Sequence, residues 1–169
     1  QMRLLPVAFA KDGTPITLDL GALPTVTTDI ALTGNGAAAT IVQASACNPV
    51  TLPGGCTPVG FRVLTIVWPA NVQLAGVTIR HGRCAGACPL GSDEGGGIRN
   101  ASGTLSLSAV TIAGNRAEGQ GGGGIENAGG ILSIRDSLLS GNQADSNGGG
   151  IDNREGTILS IRDSLFSDN

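Results

Sequence analysis

GGGGIENAGGILSIRDSLLSGN (Gly121–Asn142) is written again, almost letter for letter, as GGGIDNREGTILSIRDSLFSDN (Gly148–Asn169), and in looser form as GGGIRNASGTLSLSAVTIAGN (Gly95–Asn115). Asn115, Asn142 and Asn169 are 27 residues apart, as are Leu105, Leu132 and Leu159, and Leu107, Ile134 and Ile161. The glycine blocks drift: Ile98 to Ile125 is 27 residues and Ile125 to Ile151 is 26, which places an extra residue in the NREGT stretch before Leu159. Aliphatic positions that hold phase while one corner absorbs an insertion describe strands between tolerant turns.

Inside each copy the alternation has a period of two. Leu105/Leu107, Leu132/Ile134 and Leu159/Ile161 face one way, and Ser106, Ser133 and Ser160 the other. Two further short segments, of the type SLL and GGI, bring the count to three strands per repeat, with no room for a helix. One repeat cannot bury its aliphatic face alone, whereas repeats stacked at about 4.8 Å bury a continuous column. Stacking also sets equal residues above one another. Asn100, Asn127 and Asn153 form one expected ladder and Asn115, Asn142 and Asn169 another, their amides bonding from layer to layer.

The pattern continues upstream in weaker form. VQLAGVTIRHG (Val72–Gly82) aligns with Leu105–Asn115 at a spacing of 33, because a Cys-containing excursion, residues 83–94, precedes the glycine block. TDIALTGNGAAATIV, FRVLTIV and PITLDL read as strands of earlier, irregular turns. The expected organisation is one continuous domain, with irregular turns over 1–71 and regular repeats over 72–169, about five to six turns in all.

Composition agrees with such a stack. The chain has 169 residues, 28 of them Gly, with 2% aromatics and no Tyr, so its core is built from Ile, Leu, Val and Ala. Ten basic residues face thirteen acidic ones, and the excess of −3 lies wholly from Gly95 onward. That argues against a nucleic-acid partner, which needs a basic surface. No apolar run reaches the roughly 18–20 residues of a membrane-spanning helix.

The four cysteines lie outside the repeats. The short-range pairs Cys47–Cys56 and Cys84–Cys88 would each clip one loop, although four cysteines allow three connectivities. Disulfides imply an oxidising compartment, hence an extracellular or cell-surface location. A metal site at His81, Cys84 and Cys88 lacks a fourth ligand, so no cofactor or metal is expected.

The repeated units resemble the right-handed parallel β-helix repeats of the pectin-lyase-like superfamily. They are closest to the bacterial surface type with Gly-Gly-Ala-Ile-like and Phe-x-x-Asn motifs found in polymorphic outer-membrane proteins. Phe166-Ser-Asp-Asn169 matches the second motif fully. Ile112-Ala-Gly-Asn115 and Leu139-Ser-Gly-Asn142 put an aliphatic residue in place of Phe, and a third Gly replaces the family's Ala. The resemblance extends over about residues 14–169, strongly over 72–169, and implies an all-β, single-stranded right-handed parallel β-helix of about 27 residues per turn.

Such repeats serve enzymes and inert stalks alike, so function rests on side chains. The catalytic candidates are Asp136 and Asp163 of the repeated RDS, which stack about 5 Å apart if the register holds, near the separation of a retaining glycosidase pair. The competing reading is duplication. Each Asp then caps a bend and pairs with an Arg of the neighbouring turn. An acid and a nucleophile also need different environments, which identical copies do not supply. Likeness to pectate lyases would imply a calcium-binding Asp cluster, yet Asp93 and Glu94 lie in the excursion and Asp145 and Asp168 in turns. Aromatic sugar platforms are few: Phe9, Phe61, Trp68 and Phe166. The glycine blocks lack the following helix that a phosphate loop needs; glycine instead suits a sharp, close-packed corner. His81 reads as a turn residue. Thr111, Leu138 and Leu165 form an outward row suited to docking.

The expected function is therefore a non-catalytic extracellular or surface element, such as a stalk, an adhesin or a filament-building unit. Its partners would be further turns of the same protein or a second chain at the exposed end, or a glycan or protein on its surface. The alternative is a carbohydrate-active β-helix, a lyase or hydrolase, with its active site incomplete or outside this segment.

Overall fold

The computed structural model describes residues 14–18, 21–86, 88, 90 and 93–169. Phe9 and the end of the PITLDL stretch, Asp19 and Leu20, lie outside the described residues. Three short strands open the fold: β1 (Ile16–Thr17), β2 (Ile30–Thr33) and β3 (Ile41–Gln43). The next four are β4 (Leu64–Val67), β5 (Asn71–Ala75), β6 (Thr78–Arg80) and β7 (Arg83–Cys84). The first GGGI repeat forms β8 (Ile98–Ala101), β9 (Thr104–Ser108), β10 (Thr111–Ala113) and β11 (Arg116–Ala117). The second forms β12 (Ile125–Ala128), β13 (Ile131–Arg135), β14 (Leu138–Ser140) and β15 (Gln143–Ala144). The last forms β16 (Ile151–Arg154), β17 (Thr157–Arg162) and β18 (Leu165–Ser167).

The repeats visit the sheets in the same order, the last of them contributing to the first three. The first sheet runs β4-β8-β12-β16, the second β2-β5-β9-β13-β17, the third β1-β3-β6-β10-β14-β18 and the fourth β7-β11-β15. Every strand pair in them is parallel. The protein is thus all-β, with parallel strands in stacked sheets, an arrangement compatible with a β-helix or solenoid. The fourth sheet departs from the three-strand expectation. Its strands are two residues long and made of Arg, Gln, Ala and Cys, so they carry no alternation to read. Arg83 and Cys84 pair with Arg116 and Ala117, so the excursion leaves the stack only after Cys84.

Columns of like residues fill the interior. Val72, Leu105 and Leu132 stand in register, as do Leu74, Leu107 and Ile134, and Ile79, Ile112 and Leu139; all nine are buried. Each fully buried Leu or Ile contributes about 1.5–3 kcal/mol by removal from water. The aliphatic alternation therefore holds the stack together. Corners between sheets use left-handed backbone at equivalent positions. Between the second and third sheets these are Gly76, Ala109, Asp136 and Asp163, at φ 59°, 53°, 52° and 49°. His81 (φ 57°) occupies the next corner, with Gly114 and Gly141 at its equivalents, so it is a turn residue.

The extra residue of the last repeat sits elsewhere than in NREGT. Thr157 and Ile158 pair with Ile131 and Leu132, and the register shifts before Ser160 meets Ser133. Leu159 is therefore a bulge inside β17, and Ile158 takes the slot above Leu132. A bulge of this kind leaves one residue unpaired and bends its strand. Leu159 is 66% exposed and Leu165 is 62% exposed, with Ile158, Ile161 and Phe166 also open on that layer.

Candidate functional site

Asp136 and Asp163 occupy one corner, in the left-handed conformation that Asp tolerates better than most residues. The Asp136 amide donates to the Arg162 carbonyl at 3.1 Å. The ion pair found here joins Arg135 to Asp136 of the same repeat, Nη1 to Oδ2 at 3.6 Å, and not to an Asp of the neighbouring layer. Both partners are exposed, a setting in which such pairs contribute about 0–1 kcal/mol. Adjacency along the strand wins because Arg135 and Arg162 stack in register, on the same side. The third residue of RDS works on the backbone. Ser137 Oγ accepts from the Val110 amide and donates to the Arg135 carbonyl, and Ser164 Oγ does the same for Ser137 and Arg162. In both copies of RDS the serine thus has a structural role on the backbone. A wide groove of about 590 Å³ runs past this corner, lined by Thr111, Leu138, Leu165 and both Asp residues.

The asparagines do form rungs. Asn100 Nδ2 donates to Asn127 Oδ1 at 2.8 Å, and Asn127 to Asn153 at 2.6 Å. Asn115 donates to Asn142 at 2.9 Å and Asn142 to Asn169 at 2.8 Å. Gly82, in the slot of the missing rung, gives its amide to Asn115 Oδ1. The row of Ser106, Ser133 and Ser160 stands in register along a groove of about 260 Å³, with Gln73, Ser108 and Arg135 beside it. Thr111 and Leu138 are half-buried and Leu165 exposed, while Ile112 and Leu139 point to the core. Cys47 is bonded to Cys56 and Cys84 to Cys88. His81 Nδ1 lies 3.0 Å from the Ser45 carbonyl. No group of three or more His, Cys, Asp or Glu among the described residues is arranged to hold a metal ion.

The most perturbed chemistry lies where the sequence reading did not look. Thr65, Arg99, Glu126 and Asp152 form a column on the first sheet. Glu126 is 0% exposed, and neither of its carboxylate oxygens has a hydrogen-bond partner among the described residues. Glu94 accepts from Arg154 Nη1 at 2.5 Å and lies 3.7 Å from Arg99, while Arg154 Nη2 reaches Asp152 at 3.2 Å. Burial, then the charges of Glu94 and Asp152, push the Glu126 carboxyl up to about 7. Arg62, fully buried nearby with Nη2 3.3 Å from Cys84 Sγ, is brought down to about 10, by burial first and Arg99 second. The available signal was the residue between Ile and Asn in each GGGI copy. It is Arg, Glu and Asp in turn, charged every time and differing in sign.

This arrangement has a pH signature. The folded chain holds the Glu126 proton more tightly than the unfolded chain, whose carboxyl titrates at the ordinary 4.5. The resulting stabilisation is complete below 4.5 and is lost as pH rises through about 7. It amounts to about 3 kcal/mol. Urea unfolding from pH 4 to 8 is expected to show that decline, and Glu126→Gln to remove it; parallel profiles for the two proteins would assign the decline to other groups.

No protein-family model matches the chain, and no curated protein or solved structure does either.

Proposed function

We propose that this chain is a right-handed parallel β-helix of about 27 residues per turn that works as a non-catalytic structural or adhesive column outside the cell, as a stalk, an adhesin or a filament-building element. The observation that carries this reading is the open layer formed by β16, β17 and β18. Five large apolar residues are uncovered there, Leu159 and Leu165 most of all, above strand edges with free backbone groups. A further parallel layer fits that surface, supplied by more turns of the same protein or by a second chain. The two disulfides suit an oxidising compartment, and no helix among the described residues is long and apolar enough to cross a membrane.

Sedimentation of the 169-residue chain tests the assembly. Concentration-dependent association is expected, abolished by Leu159→Asp with Leu165→Asp; a monomer at every accessible concentration would defeat it. The alternative, a carbohydrate-active β-helix, draws support from Asp136 and Asp163 beside the groove. Polysaccharide breakdown, assayed with and without calcium and lost in Asp136→Ala, would favour that alternative over the structural reading.

A further inference from the structure

Glu126 is sealed by a bond that skips a layer. Glu94 stands just before β8 and Arg154 at the end of β16, so their 2.5 Å contact reaches across the layer of β12, where Glu126 lies. Gly95 keeps the backbone close against it: a Cβ there would come within 3.1 Å of the Cβ atoms of both Glu126 and Arg99. The charges facing Glu126 are Arg62 from the segment before β4, Glu94 from the 93–97 run, Arg99 from β8, and Asp152 and Arg154 from β16. Three cations thus meet three carboxylates, Glu126 among them. Burial sets the cost here, since an ionised carboxylate without hydrogen bonds is unfavourable in such a place.

We propose that Glu126 is a proton-operated latch on residues 93–97: uncharged, it lets the Glu94–Arg154 clasp stay shut over it, and ionised, it draws in water and the clasp opens. With titration at about 7, the latch acts near neutrality and favours the open form on the alkaline side. Its opening exposes the amides of Gly95, Gly96 and Gly97, which donate to the carbonyls of Gly121, Gly122 and Gly123.

Hydrogen exchange of the full chain between pH 5.5 and 8.5, corrected for intrinsic exchange, reads this directly. For the Gly95 and Gly96 amides the opening equilibrium is expected to rise with pH, by up to about tenfold per unit, until about 7 and to level off above it. Glu126→Gln is expected to hold it flat throughout. Carbon-13 NMR of the Glu126 carboxyl in the unmodified chain provides a reading that needs no variant. An equal rise in Glu126→Gln, or a Glu126 carboxyl titrating in the ordinary carboxylate range, overturns the latch.

Discussion

Asn142→Ala is expected to lower the unfolding free energy by about 4 kcal/mol, because it strips several buried groups of partners at once. Asn142 Oδ1 accepts from both the backbone and the side-chain amide of Asn115, and its own amide donates to the Ile112 carbonyl and to Asn169 Oδ1. Asn115 and Asn142 are buried, so water does not replace what is lost. Asn142→Asp keeps the acceptor but loses the donors and buries a charge, so it is expected to be no milder. Asn169→Ala, on the open layer, gives up the bond to the Leu139 carbonyl and the two that Asn169 Oδ1 accepts from Asn142, but at part-buried positions where water can enter, and a smaller loss of about 1–2 kcal/mol is expected there. Urea denaturation of the three variants measures this gradient from interior to edge. Equal losses at Asn142 and Asn169 would contradict the ladder as the source.

Gly123→Ala is expected to cost more than about 3 kcal/mol, or to prevent folding, through overlap alone. A Cβ at Gly123 would fall on backbone, with the Gln143 carbonyl and the Gly149 oxygen in its place. Backbone on both sides cannot swing away as a side chain tip would. Two controls separate this from the usual effect of replacing glycine. Gly141→Ala meets nothing within 4 Å but sits at φ 57°, so a penalty of about 1 kcal/mol from the left-handed backbone is expected. Gly54→Ala has open space and no positive φ, and is expected to be neutral. Thermal unfolding of the three ranks them; a Gly123→Ala protein as stable as Gly54→Ala would refute the close-approach account of the glycine blocks.

These two positions also mark what could be read from the letters. The ladder asparagines were legible because a repeat displays its structural residues by recurrence, and the alternation of Leu132, Ser133 and Ile134 gave the strand and its buried face. The glycine blocks were legible as corners. What they approach was not, since the nearest atoms to Gly123 belong to Gln143 and Gly149, far along the chain from it. The bulge at Leu159 escaped for a related reason. ILS and TIL offer aliphatic residues at both phases, so pattern alone cannot say whether Ile158 or Leu159 lies above Leu132. Pairing in space decides it. Glu126 was hidden because its importance comes from neighbours: its copies are Arg99 and Asp152, and its seal comes from Glu94, in a stretch that breaks the repeat. Recurrence reveals what every layer shares and is blind to what one layer does alone.

The Glu94–Arg154 bond has a mechanical consequence. In a stack where each layer touches only the next, loss of the outermost layer is a local event and the column frays from its tip. A tie between β16 and the residue preceding β8 removes that independence for the layers it encloses. The last strand of the first sheet cannot lift without also releasing a residue anchored two layers below. Peeling under load would then meet one larger step in place of two smaller ones, and the charged clasp would act as a rivet through three plates.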